Sequence, residues 1–437
     1  MANTIKKIYL LAILVSVCVV FSGCSRKPVE KQAGTGKVNL IFTVGGESQS
    51  YLKLLKEVVR AYKAKNPNIN VKFIPIYGQG YVEKLLTMTA SESAPDVFIL
   101  NNMQVATFVQ RKAILPLDPF MEKDNKFRKE DYFPAIVEGF TYSGKLYSLT
   151  DSMTPIVVFY NKSLFDDYKI PYPKDNWSWD DFLEISRKFV KKDERGVVKR
   201  YGALFYDTDV IYFSKAWGGS FWNKNKTKCV FNSPQSREGI QFLVDLSLKY
   251  NVVPPLFDTS TISRTDYQMF GSGMAGMLVG GRWYTIELRK AKMKFGIAEL
   301  PAAKQKLTPI ATHGWVISSG SRHPREAYDF VKYLCGEETV RFMMAQGDCV
   351  PPIKKIAEGD FLKKDPAYPD EDNGVYVRSM AHSYTLNEYH HKKVIWFEIS
   401  RLVGARNMDK LLVGELDVEA YLKTVETQVN QLIKESK

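Results

Sequence analysis

Val38-Asn-Leu-Ile-Phe-Thr-Val-Gly-Gly46 opens the stretch that decides the fold. It is an apolar, β-branched run that stops at a glycine pair, the pattern of a buried strand ending in a turn. Tyr51–Lys65 follows, with Leu52, Leu55, Val58, Val59 and Tyr62 at helical spacing. Asn66-Pro67-Asn68 ends that helix, because a proline ring disfavours helical backbone at the residue before it. Ile69–Pro75 reads as a second strand and Tyr81–Ser91 as a second helix. Ala94-Pro95-Asp96 then opens a third strand, Val97–Leu100. Strand, helix, strand, helix, strand at these lengths predicts an α/β fold with a largely parallel sheet covered by helices on both faces.

The same alternation continues. Strands are predicted at Ile156–Tyr160, Met274–Val279, Phe295–Ala298 and Trp315–Ser318. Helices are predicted at Trp179–Val190, Ser236–Tyr250, Arg325–Cys335, Glu338–Gln346, Val394–Val403 and Val418–Lys434. The 437 residues, 45% of them hydrophobic, suffice for two or three domains with their own cores.

Upstream, Lys6 and Lys7 precede the apolar run Ile8–Phe21 and then Ser22-Gly23-Cys24. The run is too short for a membrane span of about 20 residues. It has the layout of a secretory leader, and the cysteine after Ser-Gly makes it resemble a bacterial lipoprotein signal. That resemblance implies a signal peptide over 1–23, lipidation at Cys24 and a membrane anchor without a spanning helix. Arg26–Lys37 is polar and glycine-containing, and residues 24–37 read as a flexible tether.

The net charge is +13, but the lysines are scattered and alternate with acids in Tyr51–Lys65 and Phe182–Arg195. This is a solvated surface rather than a nucleic-acid patch. Of the five cysteines, Cys18 belongs to the leader and Cys24 to the lipid site. Cys229, Cys335 and Cys349 form neither a disulfide framework nor a zinc set. Buried free thiols are the first reading and a Cys335–Cys349 bridge the alternative.

Further landmarks fall in a fixed order. They are Tyr62-Lys-Ala-Lys-Asn-Pro-Asn-Ile, Ala94-Pro-Asp-Val-Phe, Leu115-Pro-Leu-Asp-Pro-Phe, Gly144-Lys-Leu-Tyr, Val158-Phe-Tyr-Asn-Lys-Ser-Leu-Phe, Trp177-Ser-Trp-Asp-Asp-Phe, Phe270-Gly-Ser-Gly-Met-Ala-Gly-Met, His313-Gly-Trp and Ala327-Tyr-Asp-Phe-Val-Lys-Tyr-Leu. Together, over roughly residues 38–352, they make the chain resemble extracellular solute-binding protein family 1, the sugar-binding lipoproteins of ABC importers, akin to maltose- and multiple-sugar-binding proteins. The resemblance implies a two-lobe periplasmic-binding-protein-like fold with a hinge of crossing segments and a ligand cleft between lobes. The first lobe is expected over 38–146 plus 300–350 and the second over 147–299 plus 351–437. Crossings are expected near Tyr142–Thr150, Gly296–Pro301 and Val350–Pro352. Val44 and Ser148-Leu149-Thr150 depart from the family pattern near the cleft, so no familiar member's ligand carries over.

A sugar site needs planar aromatics for stacking and short polar groups for directional hydrogen bonds. Glu47 follows the first glycine turn at a strand's carboxyl end, where open α/β sheets bind ligands. Asn102 follows the Pro-Asp-Val strand, with helix capping as its alternative role. Asp151 follows a crossing segment. Trp217 precedes Gly218-Gly219, where core packing explains it equally well. Arg282 and Trp283 follow Gly280-Gly281, and Trp283 is the leading stacking candidate. Trp315 stands before a strand of the other lobe, and Arg378 lies in the tail.

Gly271-Ser-Gly-Met-Ala-Gly spells a dinucleotide fingerprint, but it leads into a strand rather than a helix, so no cofactor is expected. The five histidines fit no metal motif. The chain is thus expected to be a non-enzymatic, monomeric, lipid-anchored protein on the outer face of a bacterial cell membrane. It would capture a carbohydrate, an oligosaccharide first, for the permease subunits of an ABC importer. A sugar sensor and a secreted glycoside hydrolase are the alternatives. The hydrolase would need two carboxylates about 5 to 9.5 Å apart, a pairing that spacing along the chain does not reveal.

Overall fold

The computed structural model describes residues 37–45, 49–77, 80–124, 128–205, 210–254, 266–385, 391, 396–404 and 407–436. The leader, Cys24, the tether up to residue 36 and Glu47 lie outside the described residues. Residues 38–437 form one compact unit built on two mixed sheets.

The first sheet contains β1 (Val38–Thr43), β2 (Ile69–Phe73), β3 (Val97–Asn101), β6 (Met153–Pro155), β12 (Thr308–Ile317) and β13 (Ser383–Thr385), in the order β13-β12-β3-β1-β2 with β6 also on β12. β1 pairs in parallel with β2 and β3, Val38 facing Ile69 and Phe42 facing Val97. Alternation along β1 sends Leu40 and Phe42 into the core. The helix Gln49–Lys65 buries Tyr51, Leu52, Leu55, Val58, Val59 and Tyr62. The side-chain amide of Asn66 donates to the Tyr62 carbonyl at 3.0 Å, closing the last turn just before Pro67.

The second sheet runs β11 (Phe295–Glu299), β7 (Val157–Asn161), β10 (Ala275–Gly280), β9 (Val198–Phe205) and β8 (Lys191–Lys192). The helix Trp179–Phe189 packs on it, started by a capping box between Ser178 and Asp181. A small hairpin joins β4 (Thr141–Tyr142) to β5 (Lys145–Leu146).

The sheets are less parallel than the alternation implies. β12 runs antiparallel to β3 and β6, and β7 antiparallel to β10 and β11. The chain re-enters the first sheet from the end at which β1 and β3 finish, so β12 must run back along them. Its first half extends past β3, where Ile310 pairs with Pro155 on one side and Thr385 on the other. This three-stranded ribbon, β6-β12-β13, joins the two sheets. Ladder hydrogen bonds to β12 place residues 153–155 and 383–385 on the first sheet, outside the span expected for the first lobe. The first crossing falls between Pro155 and Val157, just beyond Tyr142–Thr150. Val350 bridges Met153 on the same ribbon. β12 also begins before Trp315, at Thr308; Pro309 and Gly314 mask its strand pattern in the sequence.

The C-terminal helix Val418–Glu435 buries Tyr421, Leu422, Val425 and Val429 in the core of the second sheet. Among the described residues, no helix is long and apolar enough to cross a membrane. Cys229, Cys335 and Cys349 are buried free thiols.

Candidate ligand cleft

The carboxyl ends of β1 and β3 lie on one edge of the first sheet, with His313 of β12 opposite Asn101. β9, β10 and β11 share a direction, so Phe205, Gly280 and Glu299 mark one edge of the second sheet. The helices that follow β1 and β10 meet. Ser50 Oγ donates to Glu287 Oε1 at 2.9 Å, and Lys290 Nζ donates to both, at 2.5 and 3.0 Å respectively. The first turn of the helix after β1 is thereby tied to the last turn of the helix after β10, and carboxyl edges are where α/β sheets bind ligands.

On the first edge, Asp151 is only 1% exposed. Its Oδ1 accepts from Trp315 Nε1 at 2.9 Å and lies 3.2 Å from His313 Nε2. Tyr51 Oη stands 3.5 Å from the same imidazole nitrogen. Trp315 is fully buried, packed on Phe42 with ring centroids 5.0 Å apart. Its ring offers no open face, and its indole N–H serves to hold Asp151. Asn102 is the first residue of the helix Asn102–Gln110 and is buried, while the exposed Asn101 supplies the capping box with Gln104. The capping role weighed for Asn102 thus belongs to its neighbour.

On the second edge, Trp283 is half-buried at the start of the helix Tyr284–Lys290. Its six-membered ring lies over Gly281 so closely that any Cβ there would collide with it. Arg282 points the opposite way. It is buried, its Nε donates to the Cys349 carbonyl at 2.9 Å, and its guanidinium sits 4.9 Å from the Phe361 ring. Burial pulls its pKa below the usual arginine range. Arg289 clamps Glu371 through Nε and Nη2 at 2.8 and 2.7 Å, with Arg282 4.0 Å from that carboxylate. Arg282 is thereby a buried core cation, turned away from the cleft-side candidate Trp283.

Trp217 lies in the second core, its ring 5.1 Å from Phe242 and 6.0 Å from Phe213. Arg378 is exposed and ion-pairs with Glu299 at 3.5 Å and Asp372 at 3.2 Å. Glu299, at the end of β11, also meets Lys306 at 2.7 Å and His382 at 3.0 Å. Burial opposes its charge, but Lys306 and the His382 contact outweigh burial and hold the carboxyl below the usual glutamate range. The sequence singled out neither Glu299 nor Tyr51, and it noted His313 only as the residue before Gly314-Trp315. Their one sequence signal is a polar or aromatic side chain at a strand end or helix start. Among the described residues, no group of three or more His, Cys, Asp or Glu could hold a metal ion.

The profile of the bacterial extracellular solute-binding proteins matches residues 57–370, and the chain belongs to that family. The maltotriose-binding protein of Pyrococcus abyssi is 20% identical, over 92% of this chain and 83% of its own length. The galactooligosaccharide-binding protein of Bacillus subtilis is 21% identical, over 82% of this chain and 83% of its own. A solved ABC substrate-binding protein from Listeria monocytogenes, in complex with cycloalternan, superposes with a TM-score of 0.80 at 24% identity, covering 91% of this chain and 99% of that one. A maltotriose-bound maltose/maltodextrin-binding domain from Bdellovibrio bacteriovorus superposes with a TM-score of 0.74 at 19% identity, covering 91% and 100%. The fold is that of the two-lobe periplasmic binding proteins. As a member of an extracellular family of binding proteins, the protein works outside the cytoplasm.

Proposed function

We propose that this protein captures an oligosaccharide between its two lobes and delivers it to the permease of an ABC importer, without turning it over. The observation that carries this reading is the link between the helices that follow the two carboxyl edges, with the half-buried Trp283 at one edge and the Asp151–His313 pair and Asn101–Asn102 at the other. An aromatic face opposite hydrogen-bonding groups is what a sugar ring needs. Relatives named for maltotriose and galactooligosaccharide support the substrate class. In this reading the lobes move about the β6-β12-β13 ribbon, and ligand favours the closed arrangement.

The test is a thermal-shift screen of the purified protein against maltotriose, galactooligosaccharide, cycloalternan and monosaccharides. A sugar at 100 times its Kd adds about 2.7 kcal/mol of stability. The reading fails if none shifts the melting temperature. Sugar recovered in shortened form would overturn the claim that nothing is cleaved.

Lipid anchoring at Cys24 is the second part of the proposal, motivated by Lys6-Lys7, Ile8–Phe21 and Ser22-Gly23-Cys24. Acyl chains hold a protein at a bilayer through about 0.8 kcal/mol per buried methylene. Expressed in a bacterial host, the wild-type chain partitions into detergent and Cys24→Ala stays aqueous. Equal partitioning would remove the anchor.

A further inference from the structure

Asp151, Trp315 and His313 form a graded polar chain from core to edge. Trp315 is fully buried and locked against Phe42, so its N–H fixes Asp151. A carboxylate that is 1% exposed needs such partners to stay in the interior. Asp151 in turn holds the His313 ring through Nε2. His313 alone of the three keeps solvent access, with 24% of its side chain exposed, and it stands opposite Asn101 at the carboxyl edge of β3. Tyr51, at the start of the helix after β1, approaches the same Nε2 at 3.5 Å. A polar tip on a rigid buried stem is the construction of a specificity group, since its rotamer is set before the ligand arrives.

We infer that His313 contacts the ligand in the cleft and selects for a sugar hydroxyl at that position, with Asp151 as its positioning residue. This inference rests on the oligosaccharide reading. An imidazole changes charge between pH 5 and 8 and gains a donor where it had an acceptor, so a hydroxyl bound there senses pH. Asp151 and Tyr51 are titratable groups that face the ring. Behind Asp151 lie Tyr132, Cys335 and Cys349, all held protonated over this range by burial first and by the nearby Asp151 charge as well.

The test titrates wild type, His313→Gln and Asp151→Asn by calorimetry at pH 5, 6.5 and 8. The probe is whichever of maltotriose, galactooligosaccharide or cycloalternan raises the wild-type melting temperature most. His313→Gln sits at the exposed end and keeps its melting temperature. It is expected to bind at least tenfold more weakly at pH 8. The wild-type Kd is expected to change at least threefold across the pH range, and the His313→Gln Kd to stay flat. Asp151→Asn is expected to shift the midpoint of that pH response. If the wild type binds and His313→Gln shows the same Kd and the same pH response, the inference falls while the sugar reading stands. If the wild type binds none of the three, the sugar reading and this inference fall together.

Discussion

Neighbouring residues in this chain have opposite fates. Arg282 and Trp283 are adjacent, yet one guanidinium is sealed between Phe361 and Glu371 while the next side chain stands half-open at a sheet edge. Gly281 allows the turn, because the Trp283 ring occupies the space that a Cβ would need. Trp283→Ala is therefore expected to weaken oligosaccharide binding by tens of fold, in line with the roughly 2 kcal/mol cost of truncating an aromatic anchor. Its melting temperature should fall less than for a fully buried ring, because Trp283 packs on the edge of the core and is only partly buried. Calorimetric titration beside a thermal melt separates the two effects, and an unchanged Kd in a folded variant would take Trp283 out of the site.

At the scale of elements, the helices Gln49–Lys65 and Tyr284–Lys290 are linked by Ser50, Glu287 and Lys290. These groups are partly solvated, so their contribution to global stability is small, about 0 to 1 kcal/mol. Their contribution to closure is direct, because they join elements of different sheets. Ser50→Ala should leave the melting temperature within a degree or two of wild type. It should speed ligand release by about fivefold, the equivalent of one net hydrogen bond of ~1 kcal/mol. Stopped-flow tryptophan fluorescence reads the release rate. An unchanged rate would mean that this link plays no part in holding the cleft closed.

Over the whole molecule, the junction of the sheets is also an electrostatic node. Glu299 ends β11, Lys306 lies on the segment leading to β12, and Arg378 and His382 precede β13. Its carboxyl is held below the usual glutamate range, so the folded state binds its proton less readily than the unfolded state, whose value is about 4.3. That stabilisation is present above the unfolded value and is lost as pH falls through the depressed folded value. Glu299→Gln should cost about 2 kcal/mol at pH 7, the scale of a charge-assisted hydrogen bond. The difference from wild type should shrink as the pH drops below 4. Urea unfolding at both pH values checks this, and a cost independent of pH would show that the charge on Glu299 is not what matters.

The sequence by itself determined the α/β class, the hydrophobic face of the helix Gln49–Lys65 at Leu52, Leu55, Val58, Val59 and Tyr62, its stop at Asn66-Pro67 and the family. These features are local: side-chain periodicity and proline sterics act within a few residues. Tertiary structure decided what each tryptophan does. Trp217, Trp283 and Trp315 all stand beside glycines in the sequence, but Trp217 packs on Phe242, Trp315 on Phe42 and only Trp283 stays half-open. Burial depends on tertiary partners, which for Trp315 include Phe42 at the far end of the fold's sequence, and glycine spacing does not encode them. The Asp151–His313 pair joins positions 162 residues apart, and strand direction was equally non-local. β12 runs against β3 because the chain returns through the β6-β12-β13 ribbon, and only the closed path of the backbone through both sheets fixes that return.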